Sequence, residues 1–298
     1  MYDGGEGVKS YVCSDLASEC GCTTDREGVR VTRQQAGGCE ILRVQIKTEE
    51  GAAQVGKPCG RYVTVECGDI SHLDELAFEE VRRTLAVEIK EMAERMTGKR
   101  VGADFSVLVA GLGNADMTPD AVGPETVRHL FITRHLQAPN VLAGFPHALC
   151  EIAAFSPGVL GQTGLETQEL VRGAVGAASP DLVIAIDALA ARETARLGTT
   201  VQLADNGIQP GGGIGRGRRA LTRDTVGVPV MALGVPTVVN SATLILDALS
   251  AFGVREGDEI YGLLEAKKGF FVAPKEIDLL VRSVGVLLAA AIEKSFSL

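Results

Sequence analysis

The chain has 298 residues, 46% of them hydrophobic and 22% charged, enough for one large α/β domain or a main domain with a smaller appendage. A net charge of −9 and a pI near 5.1 argue against an electrostatic nucleic-acid binder, which needs a clustered basic face. No stretch reaches the roughly 18 apolar residues that a membrane span requires.

In chain order, residues 1–28 are polar, Gly-rich and weakly patterned, and read as a mobile leader. Short β-type runs follow at Val29–Thr32, Glu40–Ile46 and Tyr62–Val65. The alternation of Leu42, Val44 and Ile46 marks a half-buried strand. Ser71 is the candidate N-cap of a long helix whose Leu73, Ala77, Val81, Leu85, Ile89, Met92 and Met96 share one face, with Gly98 closing it. A strand over Phe105–Ala110 runs into the loop Gly111-Leu112-Gly113-Asn114, and a helix is expected from about Val122 to Arg134. Residues 138–165 read as loop. A helix from Glu166 to Ala178 leads through Ser179-Pro180 into Leu182–Ile186, an unbroken apolar run that stops at Asp187. Such a run suits a strand buried on both faces of a parallel sheet. The β-α-β order implies a right-handed parallel crossover.

Further strands are expected at Thr199–Leu203 and Val228–Leu233, with Gly234-Val235-Pro236-Thr237 as a turn into a helix from Ser241 to Phe252. Between those strands, residues 205–219 form a glycine-rich loop. A closing helix starts after Pro274, with Ile277, Leu280, Val281, Val284, Leu288 and Ala291 on one face. The fold class is therefore α/β, a mainly parallel central sheet between helices, with a small β-rich N-terminal appendage over residues 28–68.

Several chemistries fail on the residues. Gly111-Leu112-Gly113 lacks the third glycine of a dinucleotide fingerprint and puts Asp116 where a pyrophosphate would sit. The loop at 211–217 has Arg216 and Arg218 in place of the Lys-Ser/Thr of a phosphate loop, so a loop that binds polar or acidic groups, or a plain turn, fits better. No cofactor is expected. There is no Gly-x-Ser-x-Gly elbow, and Cys150 with nearby His147 makes no dyad by adjacency. His72, His129, His135 and His147 form no zinc-type pattern; surface or satisfied core roles suit them. The seven cysteines are odd in number and irregularly spaced, and no apolar signal core precedes them. Reduced thiols in a reducing compartment are expected. A metal site from Cys20 and Cys22 with Cys13 or Cys39 lacks any paired motif, so no metal is expected.

Carboxylates remain. Asp187 falls where a buried strand is expected to end, and Asp120 follows Thr118-Pro119 beyond the other strand. Asp116 and Asp205 are expected near the same sheet edge. Two acids sharing a site cannot both ionise easily, so one residue type supplies an acid and a base. Such a pair can activate water against an amide. The alternative is that each Asp caps a turn, its commonest task, and residue chemistry alone leaves the two readings level.

At these residues the sequence resembles the germination protease family of spore-forming bacteria. The matching stretches are Gly111–Asn114 with Thr118–Pro124, Thr133–Leu136, Pro157–Gly164, Ala185–Arg192 and Gly234–Val239, and also Gly56-Lys57-Pro58 with Gly60–Thr64. The likeness runs from about residue 11 to the C-terminus. It implies an atypical aspartic-type endopeptidase, with its essential aspartates at Asp120 and Asp187, on a fold related to hydrogenase-maturation peptidases. It also implies small acid-soluble spore proteins as substrates, a homotetramer, a place in the forespore or spore-core cytoplasm, and a self-processing zymogen. No direct nucleic-acid or membrane partner is implied.

Ser14–Glu19 resembles both the family's processing site and its substrate cleavage sites, so cleavage is expected at Asp15–Leu16. That makes residues 1–15 a propeptide-like leader and 16–298 the peptidase domain. Asn114, Asp116, Thr118 and Asp205 are supporting candidates. A metal-dependent maturation-type peptidase and a non-catalytic binder on the same scaffold are the alternatives. The chain departs from the family in its cysteine-rich leader, in Asn206 and Asn240, and in a short region between Phe252 and Pro274.

Overall fold

The computed structural model describes residues 14–20, 24–136, 150–209, 219–253 and 270–297. The glycine-rich stretch at 211–217, Cys13, Cys22, His147 and most of the region between Phe252 and Pro274 lie outside the described residues.

Among the described residues, nine strands form one sheet in the order β1-β2-β3-β7-β8-β6-β4-β5, with β9 also on β8. They are β1 (Val29–Ala36), β2 (Cys39–Ile46), β3 (Gly60–Glu66), β4 (Ser106–Gly111), β5 (Glu151–Phe155), β6 (Leu182–Ala191), β7 (Thr200–Ala204), β8 (Val230–Asn240) and β9 (Phe271–Val272). Four strands, β8-β6-β4-β5, are mutually parallel, as the expected crossover requires. The remaining pairs are antiparallel. The β-rich N-terminal part continues the main sheet through β3 and β7, where Tyr62 pairs with Ala204 and Glu66 with Thr200.

The helices are α1 (Glu49–Val55), α2 (Glu75–Thr97), α3 (Val122–His129), α4 (Thr167–Ala178), α5 (Ser241–Ala251) and α6 (Ile277–Phe296), with single helical turns at Leu160–Thr163 and Arg223–Val226. One face of the sheet packs under α2, α3 and α6. Leu85 and Ile89 of α2, Val122 of α3, and Val284 and Leu288 of α6 meet Val109, Ile184, Ile186, Leu203 and Leu233 there. Phe105 stacks on Phe296 at 5.8 Å between centroids. On the other face, Val171 and Val175 of α4 cover Leu108, Val183 and Ala185. Ala17 and Val55 cover Val44, Tyr62 and Ala204.

Several expectations change. Asp74, not Ser71, caps α2, and its side chain accepts the Ala77 N–H at 2.8 Å. Leu73 is extended, with φ −62 and ψ 128, so the helix cannot begin at Ser71. Gly98 closes α2 in the left-handed region at φ 69, as the sequence suggests. The helix from Val122 ends at His129, because Leu130 is extended at ψ 133. β5 lies within the stretch read as loop, and α1 is an added helix.

Two strand ends also move. β6 does not stop at Asp187 but runs on to Ala191, held by β8. Gly234–Thr237 is not a turn but the middle of β8. Proline is tolerated there because the register slips at that point: Leu189 pairs with Pro236 and Ala190 with Val238, leaving Thr237 over. The leader is not loose throughout either. Leu16 and Ala17 are fully buried.

Candidate active site

β4 and β6 stay paired only as far as Gly111 and Ile186. Beyond that pair β4 turns away, and the Leu112 N–H donates to the Ile186 carbonyl at 2.8 Å. Asp187 is thus the first residue of β6 whose β4 side lies open. It is within the strand, yet at the carboxyl end of its neighbour, which is where open α/β sheets place ligands. It is 6% exposed, and its Oδ1 accepts the Ala188 N–H at 3.0 Å.

The chain leaving β4 returns through a tight turn, Thr118–Asp120, that carries the second acid. Asp120 Oδ2 accepts the Asn114 N–H at 2.8 Å. Gly113 permits this approach. It has φ 104, and a Cβ on it would stand 2.0 Å from the Asp120 carbonyl oxygen. Gly111 and Gly123 serve the same junction, since a Cβ on Gly111 would stand 2.3 Å from the Gly123 carbonyl. The glycines that failed as a nucleotide fingerprint therefore let α3 and the Asp120 turn press against β4. Thr237, the residue left over in the β6–β8 register, donates its hydroxyl to the Pro119 carbonyl at 2.7 Å and ties the turn to β8.

Asp120 and Asp187 line one cavity of about 640 Å³, together with Asp15, Lys57, Tyr62 and Gln202. Burial pushes the Tyr62 phenol up to about 12 against the opposing pull of an Asn206 hydrogen bond, so it remains a neutral donor at ordinary pH. Its hydroxyl donates to the Pro58 carbonyl at 2.9 Å and accepts from Asn206 Nδ2 at 2.5 Å.

The supporting candidates divide. The Asn114 backbone holds Asp120, while the Asn114 side-chain amide oxygen and an Asp116 carboxylate oxygen accept from Gln162 Nε2 at 2.8 and 3.1 Å. Both side chains thus fasten the loop to the Leu160–Thr163 turn. Thr118 opens the turn that carries Asp120. Asp205 lies elsewhere. It borders a separate depression of about 410 Å³ and accepts the Arg61 N–H at 2.7 Å. Burial raises its carboxyl above the ordinary value, and the Arg61 amide offsets part of that.

Other nucleophile and metal readings gain nothing. Burial pushes the Cys150 thiol up to about 11, so it is protonated at neutral pH. His72 and His129 pair with the nearby carboxylates Asp69 and Glu125 on the surface. Among the described residues, no group of three His, Cys, Asp or Glu side chains gathers as a metal would need. Among them too, no helix is long and apolar enough to cross a membrane.

The stretch Ser14–Glu19 lies at this cavity. Asp15 donates its N–H to the Ala190 carbonyl at 2.9 Å, and its carboxylate accepts the Ala190 N–H at 2.8 Å. Lys57 Nζ donates to the Ser14 carbonyl at 2.8 Å. Leu16 is buried with Leu189, Ala191 and Val239. Gln202 joins β7 to this segment. It escapes sequence reasoning: in the polar-apolar alternation of Thr200–Ala204 it reads as solvent-facing, yet the position is buried.

The family model of germination proteases matches residues 11–268. The chain belongs to the germination protease family. It is 39% identical to the germination protease of Caldanaerobacter subterraneus subsp. tengcongensis, covering 89% of this chain and 87% of that one. It is 43% identical to the germination protease of Bacillus subtilis over 76% of this chain and 60% of that one. A solved NiFe hydrogenase maturation protease from Thermococcus kodakarensis KOD1 is similar at 16% identity and a TM-score of 0.32, covering 63% of this chain and 92% of that one. That likeness is too slight to carry an argument. Family membership supports a peptidase acting in spore germination.

Proposed function

We infer that the chain is an endopeptidase that begins the breakdown of small acid-soluble spore proteins, hydrolysing amides with water held between Asp120 and Asp187. The observation that carries this is the presence of both carboxylates in one cavity, on a chain of the germination protease family. In the reaction, one ionised carboxylate takes a proton from water. The water oxygen bonds to the scissile carbonyl carbon. The other, protonated carboxyl then gives its proton to the leaving nitrogen as the C–N bond breaks. The products are a carboxylic acid and an amine, and the pair has exchanged its proton.

Self-processing at Asp15–Leu16 belongs to the same reading, supported by Asp15 lining the cavity with both acids. A homotetramer working in the cytoplasm of the forespore and spore core is proposed on family grounds. The test is cleavage of a purified small acid-soluble spore protein, with the N-terminus followed by mass spectrometry. Asp120→Asn should lose both activities by about 10²–10⁴-fold, the scale of a proton-transfer residue. Full activity in that variant would sink the dyad. Loss after exhaustive chelation would favour the metal-dependent alternative, and no cleavage by the unaltered chain would favour a binder.

A further inference from the structure

The contacts around residues 14–19 follow a peptide backbone atom by atom. Gln202 Nε2 donates to the Asp15 carbonyl at 2.9 Å, and Gln202 Oε1 accepts the Ala17 N–H at 2.6 Å. One amide thus holds the backbone on both sides of Leu16. The Leu16 side chain fills an apolar hole floored by Leu189, and Leu189 lies where a Cβ on Gly234 would stand, 2.6 Å away. Farther along, the Glu19 carboxylate accepts the backbone N–H groups of Arg192 at 2.7 Å and Glu193 at 2.9 Å. Successive amides that converge on a carboxylate favour negative charge, and the Arg196 guanidinium nearby adds its attraction to Glu19.

The sheet register explains the arrangement. Asp187 and Gln202 are both partners of Gly234, one on each side of β8. Lateral neighbours in a sheet share a face, so both side chains rise from the same side, two strand spacings or about 10 Å apart. A peptide lying over β8 has Gln202 on one flank and Asp187 on the other.

The geometry points to Gln202 and the Arg192–Glu193 amides as the elements that read substrate. Gln202 fixes the carbonyl of the bond to be cut and the amide two residues beyond. It also supplies a donor to the oxygen on which charge develops, the task of an oxyanion-hole group. The amide pair selects a carboxylate three residues after the aliphatic one. Residues 14–19, Ser-Asp-Leu-Ala-Ser-Glu, stand in for the substrate strand, whose acidic-apolar-small-acidic pattern the family resemblance already implies. This rests on the peptidase reading above.

The experiment uses the full chain and three synthetic peptides carrying that pattern: the parent, one with Gln for the last Glu, and one with the Ala nitrogen methylated. The parent should be cut between Asp and Leu. Each modified peptide should be cut about tenfold more slowly, the scale of one lost charge-assisted or buried hydrogen bond. In Gln202→Met, which keeps the volume, the parent should slow by about 10²–10³-fold, the scale of a lost oxyanion donor, while the penalty for methylation disappears. That coupling is something a merely structural glutamine would not produce. Equal cleavage of all three peptides by the unaltered chain overturns the inference even if no variant folds. Cleavage of none of them, nor of a spore protein, overturns the peptidase reading and this inference with it.

Discussion

The two faces of the sheet are covered in different ways. Over one face, the long helices α2 and α6 with α3 form a continuous apolar layer around Phe105, Ile184 and Leu288. Over the other, among the described residues, the cover is shorter pieces: α4 at one end, α1 at the other, and residues 14–20 with Leu244 of α5 between them. Polar groups stand on the second face, where Asp187 and Gln202 rise beside the cavity. A layer closed by long helices excludes water and stabilises. A layer assembled from fragments leaves room for a peptide.

The sharpest break of this contrast is a change of side-chain chemistry on the fragment-covered face that leaves the fold alone. Asp187→Asn should lower cleavage by about 10²–10⁴-fold with an unchanged thermal transition; parallel activity assays and melting curves decide it. On the helical face the reverse holds. Phe105→Ala removes a fully buried ring stacked on Phe296 and should cost about 3–5 kcal/mol in denaturant unfolding. Activity per folded molecule should survive, and a selective loss of activity would erase the distinction. Gly113→Ala tests the junction between the faces. Its φ of 104 and its approach to Asp120 should cost about 1–3 kcal/mol and displace that acid, so activity and stability fall together.

The smallest effect concerns pH. The Asp205 carboxyl is raised by burial. A folded-state pKa above the unfolded value means the native state binds the proton more tightly. Its favourable contribution is full below the unfolded value near 3.8 and is lost as pH rises through the folded value. Asp205→Asn should therefore gain stability relative to the parent across that rise, while peptide cleavage stays near normal. Matched urea midpoints across the acid range would show a constant offset if burial were not the cause.

Much of the scaffold was legible because its signals are local. The face of α2, Gly98 at its end and the apolar run into Asp187 follow from spacing and residue type. The errors came where tertiary partners override local preference. Ala188–Ala191 are weak strand formers, yet β8 and the Asp15 segment hold them extended. Pro236 reads as a stop, yet a register slip admits it. Asp120 and Asp187 stand out in the sequence as strand-end acids, but residue chemistry leaves catalyst and cap level, and only the family resemblance favours the catalyst. Gln202 was invisible because its meaning lies in what crosses it, namely a segment remote in sequence.

The seam between β3 and β7 has a kinetic consequence. Tyr62 finds Ala204, and Gln202 finds Asp15, only after most of the chain has been made and brought back to its own beginning. Contacts of such sequence separation carry loop-closure cost before they return any pairing energy. Helical segments such as α2 can form early, but the cavity face must assemble late, and the peptide-reading groups should be the last part of the molecule to gain protection from hydrogen exchange during refolding.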